Sequence, residues 1–165
     1  MKHRAVKHDI SIRKGEPSDH DRIISVMKEW WEGRDLTAML PKLFLIHFQD
    51  TVLVAEKEND LVGFLIGFFS QSYTKEAYIH FIGVHPQFRK RGLAKKLYDV
   101  FFAICRRHHR TTVRACTSPV NKGSIEFHKR MGFELERGNG EIDGIPVTLD
   151  YNRAGDHKVL FKRRV

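Results

Sequence analysis

Residues 82–94, Ile-Gly-Val-His-Pro-Gln-Phe-Arg-Lys-Arg-Gly-Leu-Ala, constrain the fold more than any other stretch of the chain. An apolar run over 77–84 reads as a buried strand and stops at His85-Pro86. A short basic loop with one glycine follows. From Leu93, the residues Leu97, Phe101, Ile104 and Cys105 recur at helical spacing, with Lys95, Lys96, Asp99 and Arg106 elsewhere, so 93–108 is predicted as an amphipathic helix. A strand that runs through a basic turn into a helix points unpaired N–H groups and the positive end of a helix dipole at one spot. Gly92 lets backbone approach an anion closely, and Arg89, Lys90 and Arg91 add charge. The physical reading is a cradle for a pyrophosphate. The competing reading is a solvated basic turn that starts a helix. Neither the Walker spacing GxxxxGK[ST] nor the dinucleotide fingerprint GxGxxG is present.

Around this segment the pattern continues. Ile10 to Arg13 alternates as a half-buried strand, and Ser18 with Asp21 resembles a capping box for a helix through Ile23, Ile24, Met27 and Trp30. A second helix is predicted over 37–48, with Pro41 near its first turn. Residues 51–56 and 61–70 form a strand pair around Glu58-Asn59-Asp60, and 111–116 is a strand. A short helix covers 124–131, and 133–137 and 159–162 close the sheet. Residues 141–157 read as a hairpin or flap. The order βααβββαβαββ predicts an α/β (α+β) three-layer fold in one domain over 1–165, with 1–9 a flexible start.

Composition limits the partners. With 29 Lys and Arg against 20 Asp and Glu, the net charge of +9 favours anions without choosing among them. The longest apolar run, 61–69, is interrupted by Gly63 and Gly67 and falls short of the ~18 residues that span a bilayer. No apolar stretch follows the basic start, so a cytoplasmic protein without membrane contact is expected. Cys105 and Cys116 fit no disulfide or zinc spacing, and His108-His109 point apart on a helix; no metal is predicted.

Arg89-Lys-Arg-Gly92-Leu-Ala94 fits the R-x-x-G-x-[GA] motif of the GNAT superfamily of acyl-CoA-dependent N-acyltransferases. Asn121-Lys-Gly-Ser124-Ile-Glu-Phe127-His128-Lys-Arg-Met-Gly132-Phe133 is similar to a second segment of that superfamily, at the right distance. The chain therefore resembles this family over about 10–165. The resemblance implies a GNAT-like central sheet, mixed and mostly antiparallel, splayed in the middle with helices on both faces. It implies acetyl-CoA as cosubstrate and an amine as acceptor, joined directly in a ternary complex. The backbone from Arg89 through Leu93 and Ala94, with Lys95 nearby, would bind the pyrophosphate. Phe81, Ile82 and Val84 would offer main-chain bonds to pantetheine, and Asn121, Ser124 and Phe127 would meet the cofactor arm. For Asn121 a turn or helix cap competes with that role.

An alkylammonium with a pKa of about 10 must lose a proton before it attacks. His80 is the first candidate base, and Tyr78 shares its strand face by period two. His128 stands where many relatives carry a tyrosine acid; a packed helix histidine is the other reading. Trp31, Glu32, Arg34 and Asp35 fall where relatives line the acceptor site, and an Arg34–Glu32 pair would suit a zwitterionic acceptor. Two other functions stay open: a basic nucleic-acid-binding domain, for which no motif is visible, and a CoA-binding sensor without turnover. A homodimer is also left open.

Overall fold

The apolar runs become strands and the 3.6-period runs become helices in a computed structural model that describes residues 10–165. The flexible start expected over 1–9 lies outside the described residues. The strands are β1 Ser11–Lys14, β2 Val52–Lys57, β3 Asp60–Phe69, β4 Glu76–Val84, β5 Thr112–Thr117, β6 Glu134–Leu135, β7 Gly140–Ile142, β8 Ile145–Val147 and β9 Val159–Arg164. The helices are α1 Asp19–Trp30, α2 Leu43–His47, α3 Leu93–Arg107 and α4 Lys122–Arg130. Hydrogen bonds order seven strands as β1-β2-β3-β4-β5-β9-β6, mostly antiparallel, while β7 and β8 form a separate hairpin. The β4–β5 pair is parallel and registers Glu76 with Thr112 through Tyr78 with Arg114. A parallel pair needs a crossover, and α3 supplies it. The mixed α/β sheet follows the sequence reading.

The chain divides into two compact units: residues up to Gly67 with Phe81–Phe101, and Phe68–His80 with Phe102–Val165. Each unit draws on two separate stretches of chain, which is why the sequence shows no linker.

In the first unit, β1, β2 and the first part of β3 pair in sequence. Val52, Val54, Phe64 and Ile66 send one sheet face into a core with Ile23, Met27 and Trp30 of α1 and Leu45 of α2. On the opposite face, a Cβ at Gly63 would stand 3.3 Å from Leu93 and Leu97 of α3. Alternation along β3 thus puts helices on both faces of this sheet, the three layers expected. Two details differ from the sequence reading. Ser18 makes no side-chain cap; Asp19 accepts instead from the Glu16 N–H at 2.9 Å. The helix predicted over 37–48 is broken into a 3₁₀ turn, Thr37–Met39, and the five residues of α2. Pro41 separates them, because its ring has no N–H and disfavours helical backbone in the residue before it.

In the second unit, β5 and β9 pair along six residues, and β6 adds to the far side of β9. Val113, Phe133, Val159 and Phe161 are buried together with Phe102 of α3 and Ile125 of α4. The predicted flap at 141–157 contains the β7–β8 hairpin and a turn that returns to β9 through a Thr148–Lys158 bridge.

Candidate active site

The strand-turn-helix segment forms in the first unit as its sequence suggests. After β4, the His85 Nδ1 accepts from the Gln87 N–H at 3.2 Å and shapes a 3₁₀ turn, Pro86–Phe88. Arg89 is extended, Lys90 has φ +59° and Gly92 φ +79°. The Lys96 N–H then donates to the Gly92 carbonyl at 3.0 Å, so Gly92 opens α3. Left-handed residues in a turn swing successive N–H groups toward one side and make an anion-sized concavity. A Cβ at Gly92 would meet no atom within 4 Å, so the space before the turn is open. Leu93, the first residue of α3, is buried.

The charges around the turn are divided. Arg89 donates through Nε to the Val84 carbonyl at 3.2 Å and through Nη2 to the Trp30 carbonyl, and its Nη1 lies 3.9 Å from Glu32. Lys95 pairs with Asp99 at 2.6 Å. Arg89 thus braces the turn against the end of α1, and Lys95, near the turn, closes an i,i+4 pair. Lys90 and Arg91 are exposed, with the Arg91 guanidinium 5.8 Å from the Phe88 ring.

The residues expected to line the acceptor site follow α1. Trp31 packs against Phe81 and Phe64, at 5.0 and 6.1 Å between ring centroids. Glu32 is exposed at φ +57°. Arg34 reaches back to the Trp31 carbonyl at 3.4 Å, while Glu32 faces Arg89. Asp35 accepts from the Thr37 hydroxyl at 2.6 Å and N–H at 3.1 Å, bonds that hold its carboxyl below the usual range. Phe81, Ile82 and Val84 lie half-buried in the last part of β4.

In the second unit, Ala77 and Ile79 turn into the core while Glu76, Tyr78 and His80 share the other face of β4. The Tyr78 ring stacks on Phe68 at 5.3 Å. Burial, with the Cys116 thiol and Tyr151 hydroxyl in hydrogen-bonding reach, pushes the Tyr78 phenol far above its ordinary range. Tyr78 is therefore a donor at neutral pH and not a base. Burial likewise raises the Cys116 thiol, which argues against a thiolate nucleophile. Beside them Arg114 donates to Glu76 from Nε and Nη2, at 2.7 and 3.0 Å, and from Nη1 to Glu136. Phe68, Glu76, Tyr78, Arg114 and Glu136, with Tyr73, Tyr151 and Leu160, line a cleft of about 660 Å³. The sequence reading missed Glu76, Arg114, Glu136 and Tyr151; period-two alternation from Tyr78 already placed Glu76 on this face.

His128 is 4% exposed and lies in an aromatic cage. Its ring stacks on Phe161 at 4.3 Å, with Phe127 and Phe133 edge-on at 5.6 and 5.2 Å. Nδ1 lies 2.8 Å from the Ser124 carbonyl, to which it donates as N–H, and burial lowers the pKa. A neutral ring with its proton on Nδ1 has none on Nε2 to give. This geometry favours the packed-helix reading of His128 over the acid reading. The Ser124 hydroxyl lies 3.3 Å from the same nitrogen. Asn121 accepts the Ser124 N–H at 3.2 Å and so caps α4, the turn-or-cap reading of its sequence position. Among the described residues no His, Cys, Asp and Glu group could hold a metal, and no helix is long and apolar enough to cross a membrane.

With this geometry in place, likeness to solved structures agrees on the fold. Diaminobutyrate acetyltransferase from Paenibacillus lautus, solved with L-2,4-diaminobutyric acid and coenzyme A, matches with a TM-score of 0.70 at 21% identity over 94% of each chain. The family model described as Acetyltransferase (GNAT) family matches residues 20–133, and the chain belongs to that family. Among curated relatives, an uncharacterised N-acetyltransferase of Methanocaldococcus jannaschii is 36% identical over 90 residues, 52% of this chain and 40% of that protein. The match thus spans less than half the length of that relative. L-2,4-diaminobutyric acid acetyltransferase of Vibrio cholerae is 27% identical over 72% of this chain and 68% of its own.

Proposed function

We propose that this chain is an N-acetyltransferase that moves the acetyl group of acetyl-CoA onto a primary amine. The observation that carries the reading is the turn at Lys90–Gly92, left-handed at both ends and open in front, at the start of α3. Its N–H groups suit the pyrophosphate of the cosubstrate, and Lys90 and Arg91 supply the exposed charge. The half-buried backbone of Phe81, Ile82 and Val84 is suited to strand-like bonds with pantetheine.

The cosubstrate supplies a thioester whose carbonyl an amine can attack. The chain's part is to deliver that amine unprotonated and to meet the charge that develops. His80, on the same face of β4 as Tyr78, takes the ammonium proton directly or through water. Tyr78, held protonated, donates a hydrogen bond on that face. His128 takes no part in proton transfer. Two of the proteins described above are named for an acceptor with two amino groups, which makes compounds bearing a second amine the first to test. The free thiols Cys105 and Cys116 suit a cytoplasmic setting.

The test is thiol release from acetyl-CoA across amino acids, polyamines, aminoglycosides and peptides, repeated with two variants. Gly92→Val should raise KM for acetyl-CoA by at least tenfold with a smaller change in kcat. His80→Ala should lower kcat by about 10²-fold or more and leave KM for acetyl-CoA near its starting value. Absence of thiol release with every amine, alongside tight CoA binding, would replace this reading with a sensor.

A further inference from the structure

The cleft in the second unit carries information about the acceptor that the family does not. Its walls carry four aromatic rings: Phe68 stacked on Tyr78, with Tyr73 and Tyr151. Its charged groups are Glu76, Arg114 and Glu136, two negative and one positive. Arg114 spends Nε, Nη1 and Nη2 on the two carboxylates, and it is one-third exposed. Three of its five N–H groups are engaged, and the two carboxylates already outnumber its single charge. The carboxylates, at 19% and 23% exposure, keep lone pairs that Arg114 does not use. A cleft with a net negative charge and ring faces on its walls attracts organic cations and disfavours anions.

The strand sets a length scale as well. At about 3.3 Å per residue, Glu76 stands roughly 13 Å along β4 from His80, with Tyr78 halfway. If His80 receives the reacting nitrogen, a second positive group some carbons away reaches Glu76 and Glu136 past Tyr78.

Resting on the acetyltransferase reading, we infer that the acceptor class is aliphatic di- and polyamines, whose remote ammonium is held by Glu76 and Glu136 between the rings of Tyr73, Tyr78 and Tyr151. A monoamine lacks the remote cation. An ω-amino acid puts a carboxylate against two others.

Calorimetry on the full chain without acetyl-CoA tests this independently of turnover. The probes are spermidine, cadaverine, hexylamine and 6-aminohexanoate. Spermidine and cadaverine should bind at least tenfold tighter than hexylamine, and 6-aminohexanoate weaker still. Glu136→Gln, which keeps a hydrogen-bond acceptor for Arg114, should remove most of that preference. Tyr73→Ala, at an exposed ring, should weaken spermidine severalfold without disturbing the fold. Equal binding of hexylamine and spermidine, or a Glu136→Gln protein with unchanged preference, overturns the inference. Diamine binding without any thiol release would leave the ligand class standing and remove the acetyltransferase reading.

Discussion

Asp19 brings a charge into the protein interior and keeps it there. It is 1% exposed, and burial alone would raise its pKa. Four donors oppose that: Arg13 Nη1 and Nη2 at 2.7 and 2.9 Å, Arg22 Nη1 at 2.9 Å and the Glu16 N–H at 2.9 Å. The hydrogen bonds prevail and the carboxyl stays below its usual range. Glu56, bonded to the same two arginines, is lowered by the Arg13 bond first. A carboxylate whose folded pKa is depressed adds stability above its unfolded pKa of about 4 and loses it as pH falls through the lower folded value. Urea unfolding should therefore show stability falling from about pH 4 downward. Asp19→Asn should cost about 2–3 kcal/mol at pH 7, a figure held down because both arginines are about one-third exposed. It should also flatten the acid slope.

Among elements, the β7–β8 hairpin depends on a close approach just before it. A Cβ at Gly138 would fall 1.8 Å from the Val147 carbonyl oxygen and 2.2 Å from its carbon. Those atoms are backbone and cannot swing aside as a flexible side chain would. Gly138→Ala should cost about 2–4 kcal/mol and lower Tm by several degrees, with hydrogen exchange speeding first in 138–148. The same scale decides what the sequence could reveal. Helix α3 and the turn before it were legible because their signals are local: Leu93, Leu97 and Phe101 at helical spacing, and Gly92 one residue before the helix. The break in α2 was half legible, since Pro41 was visible but its effect on both neighbouring turns depends on packing. The cleft was not legible, because Arg114 finds Glu76 and Glu136 across 38 and 22 residues and only strand pairing brings them together. The choice between the two readings of His128 was hidden for the same reason. Its sequence position looks catalytic, whereas its partner Phe161 comes from the last strand.

For the whole molecule, the +9 charge acts on a polyanionic cosubstrate before any contact forms. Between about 20 and 300 mM salt the screening length shrinks from roughly 20 Å to about 6 Å. KM for acetyl-CoA should accordingly rise by about 3- to 10-fold over that range, while kcat changes little, and steady-state kinetics at both salt levels will show it. A dication acceptor should respond in the opposite sense if it is repelled by the same global charge and drawn only by its own cleft.

Arg89 gives the binding turn its shape in advance. Its forked head group clips the exit of β4 to the last carbonyl of α1, so the loop is fastened before any ligand arrives. Lysine at this position would keep the positive charge yet could not hold both carbonyls, leaving a slack loop that each incoming ligand would have to order at an entropic cost.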